Sequence, residues 1–319
     1  MFHVSGFIVS LRVTKCYNTP SKMSINKVAV IGVNSRIGPD IIAQLEASSH
    51  FQVTIIQRQS SKAPPRNRSK VVTLPNDLPE DALVDALKGH DALVSALPGS
   101  AVEPHKKLAN ACIKAGVRRF IPADYGSVDS SDHVVAELVP LYKQKTQVRE
   151  YLTALSKEGS DFTWTSLVNG HFFELIDLLG FDVKKRKAEI FDGGDLKCSA
   201  STLAQIGKAV VGILRKPDET KNKMLYMQSF LITQNEVLAE LEKISGQKFE
   251  VTQVDSKEYI KRKKQESDAG DKEATEQLVG VLGTTRANWT GEKDFANELL
   301  GLKEEDLAMA VKKAYDEMS

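Results

Sequence analysis

The chain has 319 residues, 41% of them hydrophobic, which is long enough to bury a full core in one large α/β unit or two coupled lobes. Lys and Arg total 43 against 42 Asp and Glu, so no global field draws the protein to nucleic acid or to a membrane surface. Cys16, Cys112 and Cys198 lack CxxC spacing and the histidines show no HxxH or HExxH pattern, which argues against a disulfide framework and against a metal site.

Residues 1–24 read as a flexible N-terminal extension. They carry Arg12, Lys15 and Lys22 with several Ser and Thr, and no acid precedes Asp40. Such composition also fits a mitochondrial presequence, while GFIVSL is too short for a secretory core; initiation at Met23 is a further alternative. The expected location is the cytoplasm, since three cysteines without a pairing pattern fit a reducing compartment; no stretch approaches the roughly 20 apolar residues that a membrane-crossing helix requires.

From Val28 onward apolar runs alternate with helical periods, the pattern of a parallel sheet. Strands are predicted at VAVIGV, QVTIIQR, KVVTL, DALVSAL, RRFIPA and FTWTSLV, and helices over 39–47, 79–87, 102–115 and 134–156. Pro39 sits where a first helical turn tolerates proline, and Gly89 and Gly116 where helices stop. Residues 25–168 are therefore expected to form a Rossmann-like, doubly wound α/β domain of six βα steps.

Between Lys27 and Pro39, KVAVIGVNSRIGP passes from a buried strand through a turn framed by Gly32 and Gly38 into a helix. The first N–H groups of that helix and its dipole make a pyrophosphate site, so Gly32, Asn34, Ser35, Arg36, Ile37 and Gly38 are the predicted cofactor contacts. Ser35 stands where the usual fingerprint has its middle glycine, and its hydroxyl is expected to bond the phosphate instead. The second strand ends in Arg58, at the position that reads the cofactor ribose; a guanidinium there favours the 2′-phosphate and hence NADP(H) over NAD(H). The polar SKAPPRNRSK that follows is a surface loop whose Lys62, Arg66 and Arg68 add charge at this end. SALPGS closes the fourth strand with small residues, placing Ser95 and Ala96 against the nucleotide.

RRFIPADYG, from Arg118 to Gly126, resembles the FxPSEFG signature of the isoflavone reductase-like, NmrA-like branch of the atypical short-chain dehydrogenases, and YKQKTQVREYL resembles that family's FxxKxxIRxxI helix. GGDLKCSASTLAQIGKAVVGIL and the stretch after it are similar to the family's C-terminal half, so the resemblance runs from about Val28 to Lys264, with a fungal flavour. It implies that Lys145 is the catalytic lysine, also in contact with NADP(H). Asn169, His171 and Phe172 fall where the family places nicotinamide and substrate contacts, and Tyr125 is expected on the substrate side. The implied activity is NADPH-dependent reduction of a carbonyl, a quinone-like group or a conjugated C=C in a small, aromatic or polyketide-derived molecule of secondary metabolism. An NmrA-type NADP(H) sensor without catalysis is the alternative. No Tyr–Lys dyad is assigned, because Tyr142 and Lys145 are three apart rather than four. A lysine of ordinary pKa, about 10.4, is a poor base near neutrality, so Lys145 would have to be buried.

Residues 169–319 are expected to form a smaller C-terminal substrate-binding α/β lobe over the carboxyl ends of the sheet. They carry FFELIDLL, a strand at AEIFDG, a helix at LAQIGKAVVGIL, a strand at MLYMQS, a helix at TQNEVLAELEKISG and a strand at EVTQV. KRKK at 261–264 reads as a solvated helix face. The protein is expected to be a monomer or homodimer.

Overall fold

The structure is a computed structural model and describes residues 23–61, 68–157 and 160–318. The extension's Arg12, Lys15 and Lys22, and Lys62 and Arg66 of the polar loop, lie outside the described residues.

The first half alternates as its apolar pattern requires: β1 (Lys27–Ile31), α1 (Gly38–Ala47), β2 (Gln52–Arg58), β3 (Lys70–Leu74), α2 (Glu80–Leu87), β4 (Ala92–Ser95), α3 (Val102–Ala115), β5 (Arg119–Ile121), α4 (His133–Leu138), α5 (Pro140–Leu155) and β6 (Thr163–Val168). The second half contributes β7 (His171–Phe172), β8 (Phe181–Asp182), β9 (Lys187–Phe191), β10 (Cys198–Ser201), α6 (Leu203–Arg215), α7 (Pro217–Thr220), β11 (Lys223–Tyr226), β12 (Phe230–Ile232), α8 (Gln234–Ser245), β13 (Glu250–Val254), α9 (Ser256–Asp268), α10 (Lys272–Arg286), α11 (Asn297–Leu300) and α12 (Leu307–Met318).

Seven parallel strands form the main sheet in the order β11-β6-β5-β4-β1-β2-β3. Successive side chains on β1 take opposite faces: Val28 and Val30 enter a core with Ile41 and Leu45 of α1 and Ile206 and Val210 of α6. Ala29 and Ile31 enter a second core with Leu83 of α2, Leu108 of α3 and Leu152 of α5. Both faces of β1 are covered, which is why its run is continuously apolar. The chain winds outward in opposite directions from β1, towards β2 and towards β4, and this switch point opens a crevice at the carboxyl ends of the strands.

The single helix predicted over 134–156 is instead two. Val139 is extended (φ −131°, ψ 112°) because the ring of Pro140 disfavours a helical residue before it, and α5 starts at the proline.

The expectation that everything after 169 lies over the sheet ends also fails for two segments. α6 packs along α1, where Gly207 admits the backbone of Asp40: a Cβ would stand 2.8 Å from its carbonyl oxygen. β11 then adds a seventh strand beside β6. A cut at 168/169 therefore leaves both on the far side from the sheet they complete. The remaining strands make two small sheets, β12-β10-β7 and β13-β9-β8, around a third core that includes Phe173, Phe181, Leu241 and Val311. The KRKK stretch lies on α9, where Lys263 and Lys264 pair with Glu266 and Asp268 of the same helix.

Arg119 of β5 is fully buried and spends its donors on neutral oxygens: Nε on Thr163 Oγ1 (3.0 Å), Nη1 on Thr165 Oγ1 (2.7 Å) and Thr220 Oγ1 (3.0 Å), and Nη2 on the Pro217 carbonyl. Burial lowers its pKa to about 10, and it stays charged while tying β5 and β6 to α7.

Candidate functional site

The turn after β1 is built by close backbone approach. Gly32 has φ +93°, and a Cβ there would lie 2.5 Å from the Ala96 carbonyl carbon; at Gly38 it would lie 2.5 Å from the Gly32 carbonyl oxygen. The Ser35 N–H donates to Gly32 O (3.0 Å), and the Gly38 N–H donates to Ser35 Oγ (3.1 Å). The serine thus accepts a bond at the start of α1 and keeps its own O–H free to donate outward. Asn34 and Arg36 are exposed beside it, while Ile37 is buried in the core with its edge on the crevice.

Two cavities make up the crevice. One, of about 240 Å³, lies between Gly32, Asn34, Arg58, Ser61 and Leu78. The other, of about 290 Å³, is walled by Arg36, Tyr125, Lys145, Phe172 and Leu178 among others. Ser35, Ala96, Leu97 and Pro98 line both, so a single groove runs from Arg58 at the end of β2, past the glycine turn, to Lys145 on α5. Arg68 is not part of it; its guanidinium donates to the Glu46 carbonyl (3.2 Å). Ser95 is also off the wall. It is fully buried and its hydroxyl bonds His105 Nε2 (3.1 Å), leaving the neighbouring Ala96 to face the groove.

Lys145 and Arg149 lie one turn apart on α5, each 7% exposed. Between them sits Asp124, from the loop after β5. Its Oδ1 is 3.8 Å from Lys145 Nζ; its Oδ2 accepts from Arg149 Nη1 (2.6 Å) and from Ser166 Oγ. Burial pushes the Asp124 carboxyl up, but Arg149, Lys145 and the hydrogen bonds outweigh it and hold it below the usual carboxylate range. Burial draws the Lys145 ammonium below its ordinary pKa, with Asp124 opposing and Arg149 adding to the shift. Gly99 leaves the room: a Cβ there would stand 2.9 Å from Lys145 Cε. Tyr142 offers its ring, not its hydroxyl, to the lysine; the ring centroid is 5.9 Å from Nζ and the hydroxyl bonds Ser127 Oγ (2.8 Å).

Tyr125 bears two costs at one position. Its φ is +37°, unusual for a side chain of this size, and its buried hydroxyl has no hydrogen-bond partner. Burial raises its pKa, so it is a neutral donor on a residue that lines the Lys145 cavity. Tyr125→Phe is expected to raise stability by about 1–2 kcal/mol, the penalty of an unsatisfied buried hydroxyl. Thermal melting checks this, and a variant less stable than the parent would show that the hydroxyl is already satisfied.

His171 lines the same cavity, but its Nε2–H donates to the Gly280 carbonyl (2.8 Å), and burial lowers its pKa to about 4. It is a neutral strut between β7 and α10, packed so closely that a Cβ at Gly283 would lie 2.4 Å from Nε2. Phe172 stands beside it on the wall. Asn169 does not reach the wall: it is fully buried, and its Nδ2 donates to Gly170 O (2.7 Å) while Oδ1 has no partner.

Sequence reasoning missed Asp124 and Arg149 as members of the site, although the acid of IPADYG and the four-residue step from Lys145 to Arg149 were there to be read. Leu175, Leu178 and Val279, which close the cavity, carry no comparable signal. Among the described residues no His, Cys, Asp and Glu group is arranged to hold a metal ion, and no helix is long and apolar enough to cross a membrane.

The chain is 35% identical over 234 residues to oxidoreductase aprR of Aspergillus flavus, covering 73% of this chain and 78% of that one. It is 24% identical over 265 residues to an isoflavone reductase of Medicago sativa, covering 74% and 81% respectively. Among solved structures, AtPrR2 with NADP+ and (+)pinoresinol superimposes with a TM-score of 0.74 at 21% identity over 92% of this chain and 99% of that one. A leucoanthocyanidin reductase–NADPH complex of Vitis vinifera gives 0.71 at 15% identity, covering 91% and 100%. These likenesses show a shared fold. A family model described as the NmrA-like family matches residues 24–283, from the strand before the glycine turn to the helix against His171, and the chain belongs to that family.

Proposed function

We propose that the protein is an NADPH-dependent reductase that adds hydrogen across a carbonyl, quinone-like or conjugated C=C bond of a small molecule. The observation that carries this reading is Lys145: a buried amine on the wall of a cavity of about 290 Å³ that is continuous with the glycine turn.

A dinucleotide fits the residues present. Gly32 and Gly38 let the turn close against backbone where a Cβ would collide, the Ser35 hydroxyl and the first N–H groups of α1 suit a pyrophosphate, and Arg58 suits a ribose 2′-phosphate. NADP+ and NADPH are the nucleotides named with the solved relatives. When bound, the nicotinamide supplies the hydride. Lys145 holds or gives the proton at Nζ where the substrate gains negative charge, and burial, which draws its pKa below the ordinary lysine value, makes that proton easier to release. The apolar wall of Ile37, Leu97, Leu141, Phe172, Leu175 and Leu178 excludes water and favours a flat, aromatic or polyketide-like substrate. A regulator that only senses the nucleotide has no use for a desolvated amine at this place.

Purified protein is expected to consume NADPH with at least one member of a panel of enones, quinones and aryl ketones; no consumption across the panel overturns the reading. Arg58→Asp is expected to weaken NADPH binding relative to NADH by about 10- to 100-fold, the value of one charge-assisted bond of about 1.5–3 kcal/mol. Fluorescence titration with both nucleotides measures it, and an unchanged ratio would remove Arg58 from phosphate recognition.

A further inference from the structure

The two oxygens of Asp124 are unequally employed. Oδ2 accepts from Arg149 Nη1 (2.6 Å) and from Ser166 Oγ, whereas Oδ1 has no hydrogen-bond partner and faces Lys145 Nζ at 3.8 Å, within ionic reach but beyond a hydrogen bond. One buried carboxylate is therefore shared by two buried cations on the same face of α5. With both charged, the three buried side chains carry a net positive charge, offset only by the partly exposed Asp129 4.0 Å from Arg149 Nη2, and burial resists such an excess. Arginine does not release its proton in such a place; lysine does.

We propose that Asp124 and Arg149 are positioning residues for Lys145: the carboxylate keeps Nζ at the cavity wall, and the guanidinium, by occupying the other oxygen, prevents the carboxylate from locking the lysine in its charged form. The proposal rests on the reductase reading and adds to it the device that would make the amine exchangeable.

The surroundings agree. Arg149 is itself fixed by Ser130 Oγ (2.7 Å) and Thr146 Oγ1 (3.3 Å), and its Nη2 lies 4.0 Å from Asp129, a partly exposed carboxylate that accepts from the Tyr226 hydroxyl (3.0 Å). Against Lys145 stand Tyr142 of α5, with its ring 5.9 Å from Nζ, and His105 of α3, which is neutral: Nδ1–H donates to Ala101 O and Nε2 accepts from the Ala123 N–H. Across the cavity are Arg36, Tyr125 and His171, of which only Arg36 is charged. Asp124 is the carboxylate paired with Nζ among the described residues, so what Arg149 takes from it no other group restores.

The test follows the titration of Lys145 directly, by NMR of protein carrying [ε-13C]lysine, with the signal assigned by its loss in Lys145→Met. In Arg149→Gln the midpoint is expected to rise by about one pH unit or more, because the carboxylate is then left to the lysine alone; in Asp124→Asn it is expected to fall. Arg149→Lys keeps the charge and is expected to stay near the parent. Ser166→Ala removes one hydrogen bond from Oδ2 without touching either charge and is expected to give a smaller rise; it decides the matter if Arg149→Gln does not fold. The pH profile of NADPH oxidation should move with the midpoint. Folded variants that lose activity while the midpoint stays at the parent value would overturn the proposal, since that is what a merely structural role produces. The titration needs no substrate, so midpoints that move in a protein consuming no NADPH would sink the reductase reading and leave the coupling standing.

Discussion

Lys145→Met is expected to bind NADPH as the parent does and to lose turnover by about 100- to 10,000-fold, the usual worth of one positioned proton transfer. The argument is geometric first. Nζ is the one protonatable amine on the wall of the larger cavity, at the end of a groove whose other end holds Arg58. Methionine conserves the length and bulk of the side chain, so the wall keeps its shape. It also leaves Asp124 paired with Arg149 alone, a balanced buried pair, so the variant is expected to melt no lower than the parent.

Linkage supplies a second signature. The folded-state pKa of Lys145 lies below the ordinary 10.5, so over the window between the two the unfolded chain binds the extra proton, and stability from this residue rises with pH. Lys145→Met should lose that rise. A variant with undiminished NADPH consumption removes the lysine from the chemistry; one with a lowered melting temperature at every pH shows that the ammonium is held by more than the geometry around Asp124 provides.

Gly32→Ala is expected to abolish nucleotide binding and to cost about 2–4 kcal/mol of stability, from left-handed strain and overpacking together. At φ +93° the added Cβ would meet the Ala96 carbonyl carbon at 2.5 Å, its oxygen at 2.6 Å and the Leu97 nitrogen at 2.7 Å. All three are backbone atoms of the segment that leaves β4, so relief requires moving the strand end that lines both cavities. Gly89 supplies the control: it also has positive φ (+76°), but nothing lies within 4 Å of its Cβ position, and Gly89→Ala should cost only about 1–2 kcal/mol. Denaturant melts of the two variants, with NADPH titrations beside them, separate strain from contact. Equal losses in both would mean that the β1 turn does not press on β4.

The features read correctly from the chain were those set by near neighbours. The continuously apolar, buried run of β1, the glycine-framed turn, and Arg58 at the last position of β2 are each written within a dozen residues, because backbone sterics and strand-length apolar runs act over that range. The signature around Lys145 extended this to a residue whose local sequence, beside Lys143, does not set it apart. The break between α4 and α5 was missed, although Pro140, whose effect on Val139 is local, marks it.

Where the side chains turn was another matter. Ser95 and Ala96 are adjacent, yet one is tied to His105 and the other faces the groove; His171 reaches the cavity but commits its donor to Gly280, more than a hundred residues away. By itself, the sequence determined that this chain winds a parallel sheet with a glycine-framed turn at the head of its first helix. Only the tertiary structure decided that Asp124 would divide its two oxygens between Lys145 and Arg149, that α6 and β11 would return to the main sheet, and that Leu175, Leu178 and Val279 would close the pocket. Those outcomes depend on which distant surfaces bury one another and on the charge balance of a buried cluster, and neither is encoded in any short window of residues.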